Sequence, residues 1–185
     1  MLPHIRLALL ALPAVLLAGC GDELSGKATA PDGYATYKGE GVRIAYPEGW
    51  EVDEAKSPDG GARVQITPRD RAKTPYGLIL LSSTPDAEQR FENQLEGRRT
   101  VIKTVTDGKI ESDEEVDVPG TKDARRLTAT VPAKEGTDPA EVKSDSLDLL
   151  RDNGDTLTVV VAAPQRKGDD DLDPKAVVDS LRLSG

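Results

Sequence analysis

The chain has 185 residues, 37% of them apolar and 3% aromatic, and Lys+Arg 24 against Asp+Glu 33 gives a formal charge of −9. That length suits one domain with a sizeable core, and that charge repels nucleic-acid phosphates and anionic lipid headgroups, so no nucleic-acid partner is expected. One cysteine excludes an internal disulfide, and one histidine leaves little for imidazole chemistry to work with.

Residues 1–19 read as an export signal. His4 and Arg6 form a short basic head, and Leu7–Leu17 is an apolar run holding Pro13. The run is too short for a bilayer span, which takes roughly 20 apolar residues, and its proline would kink a spanning helix. Small residues close the segment, as in a cleaved leader. Leu17-Ala18-Gly19-Cys20 resembles the bacterial lipobox. That resemblance implies a diacylglyceryl group on the Cys20 sulfur and cleavage before Cys20. Each buried CH₂ contributes about 0.8 kcal/mol, and two acyl chains anchor stably where one does not. The mature protein would then lose His4 and carry no free thiol. Ser-His-Asp and Cys-His nucleophiles would be excluded, as would histidine or thiolate sites for zinc, copper or haem.

Residues 20–33 are small and polar after the lipidated cysteine and read as a flexible tether, with a reach of roughly 20 Å. From Tyr34 the pattern becomes that of a single domain, 34–185. Val42, Ile44 and Tyr46 alternate as a half-buried strand. Pro47-Glu48-Gly49 turns the chain into a strand with Trp50 and Val52. Pro58-Asp59-Gly60-Gly61 is a second turn, before Val64 and Ile66. Tyr76–Leu81 is more continuously apolar, as a central strand is. A helix is predicted next, capped by Thr84, with Pro85 in its first turn and Ala87, Phe91, Leu95, Ile102 and Val105 on one face. After Gly108 the period returns to two. Val116 and Val118 read as a strand, then Leu127, Ala129 and Val131, then Leu147 and Leu149. Asn153-Gly154 signals a tight hairpin of type I′, with Leu157, Val159 and Val161 on the return strand. Asp173 caps and Pro174 opens a closing helix with Val177, Val178 and Leu181. Meandering strands with two inserted helices predict an α+β fold with an antiparallel sheet.

Tyr46, Pro47, Gly49 and Trp50 near the front, with Val177, Val178, Ser180 and Leu181 at the end, resemble the PsbP-like superfamily (the Mog/PsbP fold). The resemblance runs from about Tyr34 to Leu183. It implies a curved antiparallel sheet flanked by two main helices, a PsbP-like α/β/α sandwich. It is also similar to the LpqN-type lipoproteins of high-GC Gram-positive bacteria. The superfamily consists mostly of non-catalytic binding and assembly factors, so the resemblance supplies no catalytic residue, and fold alone does not decide function.

Several stretches invite chemistry. Gly21–Ala28 fits GxxxxGK, but Ala28 stands where a P-loop needs a hydroxyl. Gly168–Asp173 (GDDDLD) has the carboxylates a calcium ion favours. Counting an EF-hand loop from Asp169, however, puts Pro174 at the glycine position and Ser180 at the bidentate glutamate position. Acids favouring a helix start are the plainer reading. Glu111–Asp117 (ESDEEVD) guards a sheet edge or attracts a basic partner. Tyr46 and Trp50 either pack in the core or stack on a ligand. Arg98 and Arg99 pair with helix-surface acids or grip an anion. Carboxylate hydrolysis is the one enzymatic route left, and neither G-x-S-x-G nor S-x-x-K occurs.

The expectation is therefore a membrane-anchored extracytoplasmic lipoprotein that acts as a non-enzymatic binding or assembly module of the cell envelope. Its membrane contact is the diacylglyceryl on Cys20, and its partner is a protein or another envelope component. No catalytic residue, cofactor or metal ligand is assigned. The alternative is an envelope lipid or glycolipid carrier with an apolar cavity.

Overall fold

The computed structural model describes residues 30–70, 77–133, 141–165 and 172–184. The export signal, Cys20 and the tether up to residue 29 lie outside the described residues, as do the GxxxxGK stretch and residues 168–171 of the acidic loop.

The fold is α+β and mostly antiparallel sheet. Among the described residues ten strands run in chain order: β1 (Tyr34–Gly39), β2 (Val42–Pro47), β3 (Trp50–Lys56), β4 (Ala62–Pro68), β5 (Leu78–Thr84), β6 (Lys109–Glu115), β7 (Thr121–Pro132), β8 (Glu141–Arg151), β9 (Thr156–Pro164) and β10 (Arg182–Leu183). Helix α1 (Phe91–Thr100) lies between β5 and β6, and α2 (Pro174–Asp179) follows β9. Seven strands form one sheet in the order β3-β4-β5-β9-β8-β7-β6, and β1-β2-β10 form a second.

The main core lies between the two sheets. Val64 and Ile66 of β4, Ile79 and Leu81 of β5, and Leu157, Val159 and Val161 of β9 alternate with outward residues and are almost wholly buried. They meet Val42 and Ile44 of β2 and Val177 and Val178 of α2 in one cluster. Fully burying such a side chain contributes about 1.5–3 kcal/mol. Asp173 caps α2 as expected, its side chain accepting from the Lys175 amide at 3.0 Å, with Pro174 in the first turn. Ser180 ties α2 to the second sheet: its Oγ accepts from the Ala45 amide at 2.8 Å and donates to the Val177 carbonyl at 2.6 Å.

Several predicted elements differ from those observed. Helix α2 ends at Asp179, short of Leu181, and Arg182–Leu183 form β10 on β2. Strand β6 stops at Glu115; Val116 and Val118 lie beyond it, half-buried against the main core, and the Val116 amide donates to the Ala124 carbonyl. Thr84 ends β5 and caps nothing. The Asp86 and Ala87 amides instead donate to Asp155 and Gly154, so the β8–β9 corner fixes this entry. A 3₁₀ turn (Glu88–Arg90) then leads into α1, and a π-helical turn (Val101–Val105) follows it. The wider π turn rotates Val105 off the apolar stripe, leaving it 74% exposed.

Two hairpins share one corner design. Gly60 N donates to Ser57 O and Ser57 N to Gly61 O; Gly154 N donates to Arg151 O and Arg151 N to Asp155 O. Each corner is a type I turn ended by a glycine at positive φ, +84° at Gly60 and +89° at Gly154. This is the three-residue hairpin loop, in which only the glycine needs left-handed backbone. The expected type I′ turn at Asn153-Gly154 is therefore replaced by this one. Asp59 and Asn153 stand at the same place in each corner and accept from the amide two residues on.

Gly61 and Gly97 make a matched test. A Cβ at Gly61 would sit 1.9 Å from the Ser83 carbonyl oxygen, whereas one at Gly97 would meet nothing within 4 Å. Gly61→Ala is expected to lose about 1–3 kcal/mol of stability through steric overlap. Gly97→Ala, in the middle of α1, should gain about 1 kcal/mol. Urea midpoints at unchanged slope check both.

Candidate functional site

Successive residues of a strand point to opposite sides of its sheet, so Asp145 and Asp148 of β8 face opposite ways. Both are buried. Asp145 faces the main core side, where Arg126 of β7 grips it through two bonds, Nε–Oδ1 at 3.0 Å and Nη2–Oδ2 at 2.6 Å. The third guanidinium nitrogen donates to Asp179 of α2 at 2.7 Å, and Lys175 also reaches Asp179. Burial raises the Asp179 pKa, but the bonds from Lys175 and Arg126 outweigh it and hold the carboxyl below its usual range. This chain of charges fastens α2 to the main sheet.

Asp148 faces the other side and meets α1. Arg98 donates to its Oδ2 and Thr158 of β9 to its Oδ1. Arg99 donates to Asp113 of β6 at 2.6 Å and lies 3.5 Å from Glu96. Lys122 of β7 reaches Glu88 at 2.7 Å. The apolar part of this contact is small, Phe91 and Leu95 of α1 on Leu150 of β8. The structure thus places Arg98 and Arg99 in ion pairs that hold α1 to β6 and β8.

The α1 contacts cover only part of this face. Leu78 and Leu80 of β5 and Val160 and Ala162 of β9 share it by register and are half-exposed. Of the Tyr76–Leu81 stretch, Leu78–Leu81 open an interior strand, β5, that is fully buried on one face alone, and Tyr76 lies outside the described residues. Val101 is 48% exposed at the end of α1. Tyr46 and Trp50, the candidate stacking aromatics, are half-buried against the main core. The acidic Glu111–Asp117 stretch contributes to β6, which is an edge strand. A groove of about 400 Å³ opens beside it, lined by Glu115, Asp117, Thr121, Lys122 and Asp123 together with Val116 and Ala124. Among the described residues, no group of three or more metal-ligating side chains comes together, and no helix is long and apolar enough to cross a membrane.

The buried acids Asp145 and Asp148 are absent from the residues singled out in the sequence. Their signal is nonetheless present in Ser144–Leu150, where two acids sit three apart in an otherwise small or apolar strand. An odd spacing in a strand puts them on opposite faces, and a buried acid requires a cation.

No family model and no curated protein matches the chain. A solved structure similar to it is that of a protein of unknown function from Pseudomonas aeruginosa, with 12% identity and a TM-score of 0.34, covering 71% of this chain and 83% of that one. A likeness of that degree carries no argument about fold or activity.

Arg98→Met leaves the Asp148 carboxylate buried with Thr158 alone and should cost about 3–5 kcal/mol, most of it recovered when Asp148→Asn removes the stranded charge. A double-mutant cycle in urea reads the coupling. At Asp113, the Arg99 hydrogen bond, opposed by burial, holds the carboxyl below its ordinary pKa. A lowered folded pKa stabilises above the unfolded value, about 3.9, and the benefit fades as pH falls through the folded value. Wild type should therefore exceed Asp113→Asn by about 0.5–1 kcal/mol at pH 7, the two converging below about pH 4. Urea unfolding across that range measures the difference.

Proposed function

We propose that the protein is a lipid-anchored, extracytoplasmic binding module of the bacterial envelope, without catalytic activity of its own. Leu17-Ala18-Gly19-Cys20, directly behind the Leu7–Leu17 run, is the observation that carries the anchor. Lipidation also accounts for a lone cysteine in an exported chain without requiring a partner thiol. In this reading the body is a PsbP-like α/β/α sandwich with a curved sheet, held off the headgroups by residues 20–33.

Two features support binding over hydrolysis. The buried carboxylates Asp145 and Asp148 face opposite sides of the sheet, and each is neutralised by an arginine. A glycosidase instead needs two carboxyls facing each other across a cleft. The main sheet is also half-covered on its α1 side, where Leu78, Leu80, Val160 and Ala162 offer an apolar strip to a protein or envelope component. The groove beside β6 has only Val116 and Ala124 as apolar residues among its seven, less than the alternative of a lipid or glycolipid carrier calls for.

The test follows the protein in intact cells. Wild type should sediment with membranes, and its mature amino terminus should be a Cys20 carrying a diacylglyceryl mass. Cys20→Ala should release the protein from the membrane fraction or leave its leader uncut. An unmodified Cys20 thiol, or a Cys20→Ala protein that loses its leader and still stays in the membrane fraction, would overturn the anchor.

A further inference from the structure

The open half of the main sheet ends in β3. Every residue of β3 from Glu51 to Lys56 is exposed. Its register with β4 runs unbroken from Trp50↔Pro68 to Lys56↔Ala62, with no bulge. At the opposite edge, β6 carries a bulge between Ile110 and Ser112, and its Glu111 and Asp113 are engaged by Thr130 and Arg99. Bulges and engaged charges are devices that blunt an edge. Strand β3 lacks the first of them.

The hydrogen-bond parity of β3 follows from its corner. Ser57 N donates to Gly61 O, so Ser57 faces β4. In an antiparallel pair hydrogen-bonded and non-hydrogen-bonded positions alternate. Glu51, Asp53 and Ala55 therefore bond β4, while the backbone groups of Trp50, Val52, Glu54 and Lys56 point away from it. Two observations agree. Pro68, which has no N–H, stands opposite Trp50, and the amide of Ala62, opposite Lys56, donates to Ser83 Oγ on β5.

The side chains along this edge are sorted as well. Trp50 and Val52 lie toward the core side, Trp50 half-buried and Val52 38% exposed, with Glu54 beyond them. Glu51 and Asp53 lie on the other side, and Arg69 pairs with Glu51 at 3.0 Å. A second copy docking here would bring Glu51, Asp53 and Glu54 against themselves within a chain of charge −9, and like charges opposed across strands destabilise.

We propose that β3 is a docking edge for an extended basic segment of a partner protein, which adds to the sheet as a further strand. Main-chain bonds to Val52, Glu54 and Lys56 supply the affinity. Apolar residues of the segment pack on Trp50 and Val52, while its intervening Lys or Arg residues face Glu51 and Asp53. The proposal rests on the binding-module reading but not on the anchor, because Cys20 plays no part in its test.

The experiment uses the purified full chain in detergent micelles and an acetylated peptide of about seven alternating lysines and valines, long enough to match a strand of this length. That peptide should protect the amides of Val52, Glu54 and Lys56 from hydrogen exchange. It should bind at least about tenfold more tightly than a lysine-glycine peptide of equal charge, because glycine weakens a strand, and a glutamate-valine peptide should not bind. Val52→Pro removes an outward N–H, which an edge strand tolerates, and should weaken binding about tenfold or more with the β4 amides still protected. Asp53→Lys combined with Glu54→Lys should reverse the preference toward the glutamate peptide. The proposal is overturned if no peptide binds, if the lysine-glycine peptide binds as well, if the footprint falls elsewhere, or if the chain dimerises through β3.

Discussion

Strand β8 is the constraint on which the architecture depends. From Asp145 to Leu150 every residue is buried, although the strand carries two acids in that run. Removing a carboxylate from water costs several kcal/mol unless a cation and hydrogen bonds replace the solvent. Each acid therefore dictates what lies over its own face. Asp145 requires Arg126, whose remaining donor holds Asp179 and with it α2. Asp148 requires Arg98, and with it α1. Both helices are thus placed by charge as well as by apolar contact, and α1, which contributes only Phe91 and Leu95 to its buried cluster, depends on the charges more.

That difference makes the molecule asymmetric. On the side of α2, β2 and β10 the sheet is sealed by a continuous apolar cluster that reaches from Val64 to Leu183. On the side of α1 the cover reaches Thr156 of β9 but leaves Val160, Ala162, Leu78 and Leu80 half-exposed, and beyond them the sheet runs out to an edge with no described neighbour on its outer side. A polar, acid-rich edge stays soluble because copies repel one another, and the same charge admits a partner of opposite sign. Solubility and recognition then rest on the same side chains of β3.

Much of this fold is legible in the chain. Period-two alternation marks β2, β4 and β9 because each has one face in the main core, and Asp173-Pro174 marks the start of α2 through its cap. Elements whose position is decided by distant partners are harder to read. Strand β10 is two residues long and exists because β2 offers an edge. The π turn after α1 breaks a stripe that a 3.6-residue period extends to Val105. Val116 and Val118 look like a strand by alternation, yet they follow the end of β6 and fill a gap against the main core. The corner at Asn153-Gly154 is correctly placed as a hairpin, but its turn type depends on the extra loop residue. Among the candidate residues, Arg98 and Arg99 are visible as a basic pair, whereas their partners Asp148 and Asp113 emerge only once strand register is fixed.

The pairing order also has a kinetic consequence. Strand β5 bonds β9, and β2 bonds β10, so the middle of the main sheet and the cover over its core both wait for segments far along the chain. Loop-closure entropy must be met before such contacts contribute, which slows folding relative to a chain of local hairpins. A polypeptide emerging amino terminus first can form the β1–β2 and β3–β4 hairpins early, but it cannot close its interior until β9 and α2 arrive. For much of its synthesis the chain therefore stays open and threadable, the state in which a polypeptide passes through a narrow channel.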